Sequence, residues 1–436
     1  MRDRPGSRTV LLATALLGAA AALTLAAPHV DPAQAARLCI YPIELPRGFE
    51  VVFGCDGFTF LRGAVEPALL LEPRFAPPTD FTYQSRPLHI GVAAIVGRVL
   101  QPLVAAAVPA ELRYQGRTPV RRFAGAYVAY VLLNAVLLVG AGLALQDALI
   151  GWRRPDTLEV AALVAGLAGL MLSRTVRFWL FTPHTFLWGL LVPLWALAVG
   201  RRVLAPVDPT DDRLVRRAVV AAGVAALAYA FAVLVPAVAL TALGHRLRRD
   251  RVPNGIARWL RVTTFSAVAF ALPTLAWIGV SYAVAGGYYH HEAVAYRQFR
   301  WLTDALVAGG PAAAWTQVVG RGAAWGGTLA RQLLAPTLFL VSLVGVSVST
   351  GAWTRATPPR ALLGSAALVL GFAAAFWYLD GQMGGARAAT LAPDVQVLAA
   401  SLALTLDRGR GRVRWTGLLA AATIGWGVVD MMRPPA

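Results

Sequence analysis

The sequence predicts an all-α, polytopic membrane protein. Of its 436 residues, 57% are hydrophobic and only 14% are charged, a composition far from that of soluble domains. Runs of about 20 apolar residues recur along the chain, each long enough to cross a hydrocarbon core of roughly 30 Å as a helix. They are too long and too uniformly apolar for the strands of a closed barrel. We therefore expect a single transmembrane domain over residues 1–436, with about eleven spanning helices in a range of 10–13.

The first predicted span follows a basic N-terminal segment, MRDRPGSR. The apolar stretch from Val10 to Ala27 is longer than the roughly 7 to 15 residues of a cleaved signal peptide. We expect an uncleaved first helix, with its arginines inside and residues 28–87 exported. The other spans are predicted at approximately 88–109, 124–144, 159–173, 178–199, 218–243, 262–285, 328–349, 360–379, 389–405 and 414–432.

Arginine carries all of the basic side-chain charge, because the 40 Lys+Arg residues include no lysine. Most arginines lie in short segments between apolar runs, as the positive-inside rule describes. A nucleic-acid-binding protein would collect its charge on one soluble domain, so we expect no nucleic-acid partner. Abundant Ala, Gly, Val and Arg are typical of a GC-rich bacterial genome. These features predict a multi-pass protein of a bacterial cytoplasmic membrane.

The positive-inside rule conflicts with a simple count of spans at one place. Segments 113–122 and 244–261 fall inside in that count, whereas segment 200–217, with five arginines, falls outside. Moving it inside would move the six arginines of 244–261 outside. The short run 159–173, as a re-entrant or half-spanning helix, is the expected source of the conflict.

Residues 28–87 form the longest polar segment, rich in proline and aromatic residues. We expect an ordered loop with one or two short interfacial helices at 58–65 and 69–71. The two cysteines, Cys39 and Cys55, both lie in this loop. Outside the cytoplasm they are well placed for a disulfide, which would close about 15 residues and stabilise by on the order of 3 kcal/mol. Two free thiols are the alternative.

Asp56 stands among apolar and aromatic residues in GCDGFTFLRGA, residues 54–64. A carboxylate at the membrane surface suits a general base or a metal neighbour at the mouth of a lipid-facing cavity. The alternative is an Asx turn or a helix N-cap, in which Asp56 bonds the amides near Phe58 and Thr59.

The acid of the first loop, the amphipathic stretch and the YQSRPL entry into the second helix together resemble the GT-C superfamily of integral membrane glycosyltransferases. The resemblance covers mainly residues 1–110 and the number of helices. It implies a polyprenyl-phosphate-linked sugar donor, a glycan or lipid acceptor, and an active face outside the cytoplasm. Asp56 would be the catalytic base or metal neighbour, and Arg86 would face the donor phosphate.

This sequence departs from the GT-C pattern in two respects. About 28 residues separate the first helix from Asp56, where the family places its acid nearer, and no clear Asp-Asp or Asp-Glu pair lies in the first loop. Glu50, Glu66 and Glu72 are therefore alternative acids. The cofactor is unknown from the sequence, which leaves room for a divalent metal without requiring one.

Arg74 and Arg86 are candidate donor-binding residues, because a guanidinium matches phosphate oxygens in a bidentate manner. The alternative for each is an interfacial arginine that reaches the headgroups of membrane lipid.

The stretch YYHHEAVAYRQFR begins a second predicted exported loop, residues 286–327. Its two histidines lack the i, i+4 spacing of a helical zinc pair. Acceptor or donor-phosphate binding is one interpretation, and an interfacial helix with Tyr and Trp anchors is the other. The candidate binding residues are His290, His291, Glu292, Arg297 and Arg300.

Motifs of other enzyme classes are absent: the sequence has no Walker loop, GxGxxG, HExxH, GxSxG or CxxC. Without a soluble nucleotide-binding domain, a glycosyltransferase would take a lipid-linked donor. His184 and Asp394 are polar positions near predicted spans and are left out of the catalytic set. The alternative functions are a transporter or lipid flippase, which would carry charges midway along its helices, and a non-catalytic assembly protein of the cell envelope.

Overall fold

A computed structural model describes most of the chain up to residue 381. The described residues are 5–25, 40–45, 49–54, 56–71, 84–114, 118–149, 157–172, 174–205, 212–290, 293–294, 297–349 and 360–381. Several predicted features lie outside them: Cys39, Cys55, Glu72, Arg74, His291, Glu292, Asp394 and the last two predicted spans.

The described residues form mainly α-helices, separated by short turns and 3-10 segments. In chain order the helices are α1 (Pro5–Leu25), α2 (Asp56–Val65), α3 (Pro87–Ala107), α4 (Ala124–Leu149), α5 (Thr157–Leu172), α6 (Arg174–Phe181), α7 (Trp188–Leu204), α8 (Arg213–Ala226), α9 (Leu234–Arg249), α10 (Gly255–Ala285), α11 (Trp301–Ser349) and α12 (Arg360–Asp380).

Within the described residues, five helical segments are long and apolar enough to cross a membrane: Pro87–Ala107, Val120–Leu149, Ala230–Arg249, Gly255–Ala285 and Ala361–Asp380. Each contains at least 20 residues, and 20 residues rise about 30 Å as a helix. The all-α membrane class predicted from composition is confirmed. The count of about eleven spans stays a prediction.

The first loop contains a β-ribbon that the sequence analysis did not anticipate. Strand β1 (Ile40–Leu45) pairs antiparallel with β2 (Phe49–Gly54), in a register that runs from Ile40 opposite Gly54 to Leu45 opposite Phe49. Both strands are rich in the β-branched and aromatic residues that favour strands. The ribbon ends directly before α2, and a 3-10 helix (Pro67–Leu71) follows α2 where a second short helix is expected. A second, two-residue ribbon pairs Arg113–Tyr114 with Thr118–Pro119.

Helices α3 and α4 approach each other closely at two glycines. A Cβ atom on Gly125 would lie 2.4 Å from the carbonyl oxygen of Gly97 and 2.7 Å from the Cα of Gln101. The Gln101 side-chain oxygen accepts a 2.8 Å hydrogen bond from the Gly125 amide. Small residues allow such close packing of apolar helices, and here the contact fixes the position of α3, which begins directly after Arg86.

The predicted span 178–199 is wrong as a single helix. Helix α6 ends at Phe181, and α7 begins only at Trp188. Pro183 in this break lacks an amide hydrogen and disfavours helix for the residue before it. The side-chain amide of Asn134 donates to the carbonyl oxygens of Trp179, Leu180 and Thr182 at 2.9, 3.1 and 3.0 Å. The break between α6 and α7 is therefore buried and held by hydrogen bonds, and it contains His184 and Thr185.

The predicted span 218–243 is also wrong as a single helix. It contains the end of α8, a turn, a 3-10 segment (Ala230–Val233) and the start of α9. The Leu227 carbonyl in the turn accepts a 3.2 Å hydrogen bond from the Leu88 amide, so the turn lies against the start of α3. Helix α8 has 14 residues, about 21 Å, which is shorter than the hydrocarbon core of roughly 30 Å.

This turn moves the conflict with the positive-inside rule to segment 113–122. Helix α4 begins directly after that segment, and its other end, at Asp147, bonds to Arg201 and Arg202, so 113–122 lies at the opposite end of α4 from segment 200–217. The Arg246 and Arg249 side chains of α9 donate to the carbonyls of Val203 and Leu204 at the end of α7, at 3.4 and 3.2 Å. Segments 200–217 and 244–261 therefore meet at the same end of the helices, and the expectation that they lie on opposite sides is wrong. Helix α5, which covers the predicted short run, has 16 residues, about 24 Å.

The predicted loop 286–327 is largely helical. Helix α11 starts at Trp301, and Gly310, with φ 68° and ψ −167°, interrupts it before Pro311. Glycine adopts such an angle at low cost, and a proline next to it favours the break. The Trp301 indole and the Val318 carbonyl, which flank the break, both bond to the last residues of α12: Trp301 Nε1 donates to Leu379 and the Tyr378 hydroxyl donates to Val318.

Candidate functional site

Gln84 joins the two polar clusters that the sequence analysis singled out. Its side-chain oxygen accepts a 2.7 Å hydrogen bond from the Tyr289 amide, and its side-chain nitrogen donates to the Leu70 carbonyl at 2.9 Å. The Trp277 indole also donates to the Gln84 carbonyl at 2.7 Å. Gln84 has no solvent exposure; its bonds to Tyr289 and Leu70 are buried, and the bond from Trp277 is partly buried. These bonds bring residues 84–88 and 288–290 side by side.

Arg86 and His290 consequently line one cavity. Its volume is about 60 Å³, which corresponds to roughly two water molecules in liquid water. His290 Nδ1 accepts a 3.2 Å hydrogen bond from the Ala293 amide, so a neutral His290 ring carries its proton on Nε2 and can donate there. The lining residues are Ser85, Arg86, Tyr229, Ala230, Phe231, His290, Gln298, Phe299, Phe376, Trp377 and Asp380.

The Arg86 guanidinium is held by aromatic rings and a hydroxyl. Its Cζ lies 5.8 Å from the Phe60 ring centroid and 5.3 Å from that of Tyr229, within the range of cation–π attraction. Arg86 Nη1 also donates to Thr185 Oγ1, in the break before α7. Arginine suits this position because its planar group stacks on aromatic rings while its N–H groups donate hydrogen bonds.

Aromatic side chains form one wall of the cavity. The rings of Phe231 and Trp377 have centroids 4.5 Å apart, and Phe376 lies 5.0 Å from each of them. Phe231 and Trp377 are 1% and 2% exposed, so the wall is part of the packed core.

Asp380 is the buried carboxylate of this cavity, and the sequence analysis missed it. It is 3% exposed and is the last residue of α12. Gly381, with φ 78°, ends the helix as a left-handed cap. A negative charge at a helix C-terminus is opposed by the helix dipole, which points to a role other than helix stability. An acid directly before a glycine at the end of an apolar run, WYLDG, is the signal that could have found it.

Arg321 offsets the unfavourable negative charge at the C-terminus of α12. Its Nη1 donates to the Gly381 carbonyl at 3.3 Å, and its Cζ lies 4.8 Å from the Trp301 ring centroid. A cation at a helix C-terminus is favourable. These contacts, with the Trp301 and Tyr378 bonds described above, fix the backbone that carries Asp380.

Asp56 lies beside the cavity and does not line it. It is the first residue of α2, where the helix dipole favours a negative charge. Its Oδ2 is 3.8 Å from His184 Nε2, and its side chain is 46% exposed. This distance exceeds a hydrogen bond and suits an ion pair or a bridging water. The position at a helix start agrees with the capping interpretation, and the histidine contact agrees with the catalytic one.

Phe60 connects the neighbourhood of Asp56 with that of Arg86. The Phe60 ring is fully buried and meets the His184 ring edge to face at 5.2 Å. The same ring faces the Arg86 guanidinium. The Gly54 amide donates a 3.3 Å hydrogen bond to the Thr182 hydroxyl. This bond holds the start of α2 against the break between α6 and α7. Asp56 is therefore separated from the cavity by one aromatic ring and its neighbours.

The remaining predicted residues are placed differently. Arg297 and Arg300 approach Asp304 at 3.9 and 3.7 Å and are 73% and 60% exposed. They do not line the cavity, although Gln298 and Phe299 between them do. Glu66 pairs with Arg122, which makes it a structural acid. Glu50 lies on β2.

Metal binding has no support in the described part of the chain, where no group of three His, Cys, Asp or Glu side chains could hold an ion. No family model matches this chain, and no characterised protein or solved structure is significantly similar to it.

Proposed function

We propose that this protein is a GT-C-like glycosyltransferase. It would move a sugar from a polyprenyl-phosphate donor to a glycan or lipid acceptor on the outer face of a bacterial cytoplasmic membrane. The observation that carries the proposal is the cavity in which Arg86, from the first cluster, and His290, from the second, lie together with the buried Asp380.

Arg86 and His290 supply the chemistry that a lipid phosphate requires. Both present nitrogen donors to one cavity, and charge-assisted hydrogen bonds to phosphate are about twice as strong as neutral ones. In the transfer step, the bond between the anomeric carbon and the phosphate oxygen breaks, and the phosphate leaves with the electron pair. Donors placed where this negative charge develops lower the barrier. Arg297 and Arg300, exposed beside the cavity, would attract the donor phosphate on approach.

Two carboxylates have separate roles in the proposal. Asp56 accepts the proton of the acceptor hydroxyl, whose oxygen forms the new bond to the anomeric carbon. This requires the acceptor to enter beside His184. Asp380, buried in the cavity, would accept a hydrogen bond from one sugar hydroxyl that enters it, because a volume of about 60 Å³ admits a small polar group and not a sugar ring. A single displacement with inversion is what the resemblance to the GT-C superfamily implies.

The distribution of arginines supports an external cavity. Helix α7 begins after the break that carries His184 and has Arg201 and Arg202 in its last turn; its 17 residues span about 25 Å. Helix α9 likewise begins beside the cavity wall and ends at Arg249, which bonds to the end of α7. Segments 200–217 and 244–261 hold five and six arginines at this end, against four in segment 113–122 at the other end of α4. Because the larger cluster of arginines favours the cytoplasmic side, the cavity end of these helices would face outwards.

Buried charges argue against the transporter alternative. Within the described residues, the buried charged side chains are those of Arg177, Arg246 and Asp380. Arg246 and Asp380 lie in the last turns of their helices, and Arg177 lies in the eight-residue α6. A transporter that moves ions or protons through its centre would place charges midway along spanning helices.

The test is binding of undecaprenyl phosphate, the lipid-phosphate half of such a donor, to the full-length protein in neutral detergent. We expect Arg86→Gln and His290→Ala to weaken binding at least tenfold, the value of one lost charge-assisted bond. Arg98→Gln is the matched control, because Arg98 is an exposed arginine of α3 away from the cavity. Equal affinities in Arg86→Gln, Arg98→Gln and the wild type, with unchanged thermal stability, would contradict the proposal.

A further inference from the structure

A second and larger cavity lies at the opposite end of α9, where the chain turns into α10. Its volume is about 1000 Å³, at the upper end of the range for small-molecule sites. The residues that matter here are Arg248, Arg251, Ile256, Trp259 and Leu260.

This second cavity is the groove between α9 and α10, and two of the arginines that line it are not neutralised by an acidic side chain of the described residues. The only acid of segment 244–261 is Asp250, and Arg249 engages it through Nε–Oδ1 and Nη2–Oδ2 contacts of 2.7 and 3.2 Å. The hydrogen bond from Arg249 lowers the pKa of Asp250, so this acid remains paired at neutral pH. Arg248 and Arg251 are exposed, and within the described part of the chain neither forms a salt bridge.

The groove has a rigid frame. The Trp259 indole donates to the Leu240 carbonyl at 2.9 Å, and a Cβ atom on Gly244 would lie 3.0 Å from the same indole nitrogen. Helix α10 is thereby fixed against α9. In the turn, Arg251 and Asn254 adopt left-handed angles, φ 49° and 55°, and the Val252 amide bonds to the Leu247 carbonyl at 3.1 Å.

The other edge of the groove is apolar and exposed. Ile256 is 79% exposed and Leu260 is 52% exposed, one helical turn apart on the same face of α10. Trp259, between them in sequence, is the residue type enriched at membrane interfaces. Two unpaired cations thus lie next to an apolar strip on a helix long enough to cross the membrane.

We propose that this groove binds the headgroup of an anionic phospholipid on the arginine-rich side of the membrane. Arg248 and Arg251 contact the phosphodiester, and the acyl chains follow Ile256 and Leu260 along α10. The apolar strip distinguishes a lipid from a free phosphate, which would gain nothing from it. Basic residues next to a spanning helix attract anionic lipid in this way.

Native mass spectrometry of the full-length protein in neutral detergent tests this proposal, with short-chain phosphatidylglycerol, short-chain phosphatidylcholine and inorganic phosphate as probes. We expect phosphatidylglycerol to bind more tightly than phosphatidylcholine. The double substitution Arg248→Gln and Arg251→Gln weakens phosphatidylglycerol binding about 30-fold, from the usual attraction of two basic residues near the surface. The control is Arg217→Gln with Arg261→Gln, which removes the same charge from exposed positions outside the groove.

A second variant separates the headgroup from the chains. Ile256→Ser with Leu260→Ser keeps both arginines, and we expect it to weaken phosphatidylglycerol binding while leaving any binding of inorganic phosphate unchanged. The proposal is overturned if the control pair weakens binding as much as the groove pair. It is also overturned if inorganic phosphate displaces the lipid completely, or if phosphatidylcholine binds equally well.

Discussion

The Tyr289 amide donates a buried 2.7 Å hydrogen bond to the Gln84 side-chain oxygen across 205 positions of sequence. This bond places the start of the second apolar helix, α3, against the end of α10. Everything proposed for the cavity depends on this contact, because Arg86 lies two residues after Gln84 and His290 lies one residue after Tyr289.

Gln84→Leu should therefore destabilise the protein and weaken lipid-phosphate binding together. The substitution leaves the Tyr289 amide and the Leu70 carbonyl buried without their partner, at a cost of about 2–4 kcal/mol. The measurements are thermal unfolding in detergent and binding of undecaprenyl phosphate. Gln101→Leu is the matched control, because Gln101 also bridges two backbone groups, at 2.8 Å each. It should lower stability without affecting binding, and equal binding losses in both variants would mean that Gln84 has no specific role in the cavity.

Asp56→Asn and Asp380→Asn should affect transfer in different ways. If Asp56 is the base, its loss lowers kcat by about 10²–10⁴-fold, the usual range for general base catalysis, and leaves donor affinity unchanged. Asp380→Asn should instead raise the KM for the donor by about tenfold, because one hydrogen bond to a charged group is weakened. The measurement is the steady-state rate against donor concentration.

Asp212→Asn serves as the control for both acids, because Asp212 pairs with Arg216 at the start of α8, at the arginine-rich end away from the cavity. We expect it to change both constants less than threefold. A large loss of kcat in Asp380→Asn with a normal rate in Asp56→Asn would transfer the role of the base to Asp380.

The helical membrane class could be predicted from the sequence because the composition alone requires it. The errors came from equating each apolar run with one straight helix. The run 218–243 stays apolar through its break, so hydropathy does not show that the chain turns at residues 227–229. In the run 178–199, Thr182, Pro183 and His184 mark the break at residues 182–187, but the flanking apolar residues outweigh them in a hydropathy window. The bonds of Asn134 and Leu88 to these turns reveal them, and such bonds depend on tertiary contacts.

The site could be predicted in part. Arg86 and His290 were selected for their chemistry, and the structure brings them to one cavity; donor binding by these residues stays a prediction. Asp380 was missed because it stands at the end of an apolar run, with its partners on distant segments. Arg297 and Arg300 were selected by residue type, but their nearest acid, Asp304, lies on the following helix and draws them away from the cavity.

Gly125→Ala should destabilise the protein through the contact between α3 and α4. The new Cβ would lie 2.4 Å from the Gly97 carbonyl oxygen, so the helices must separate, at about 1–3 kcal/mol for overpacking of this kind. Gly279→Ala is the control, since no atom lies within 4 Å of its new Cβ. It should be neutral or stabilise by up to about 1 kcal/mol, the usual gain within a helix. Thermal unfolding in detergent compares the two, and equal stability would mean that α3 and α4 do not meet at these glycines.

Cysteine accessibility should place the first loop and the second cluster on the same side of the membrane. We expect Ala68→Cys and Val294→Cys, both exposed, to react with a membrane-impermeant thiol reagent in intact cells. Pro253→Cys, in the exposed turn between α9 and α10, should react only after the membrane is permeabilised. The reason is geometric: Gln84 bonds the first two regions together, whereas α9 separates the third from the cavity by 16 residues, about 24 Å.

The background lacks Cys39 and Cys55, and its undecaprenyl phosphate binding must match that of the wild type. If Ala68→Cys reacts in intact cells and Val294→Cys does not, the bond between Gln84 and Tyr289 does not exist in the membrane, and a cavity shared by Arg86 and His290 must be abandoned. If Pro253→Cys reacts together with the other two, the arginine-rich end is exposed outside, and the proposed cytoplasmic orientation of that end is wrong.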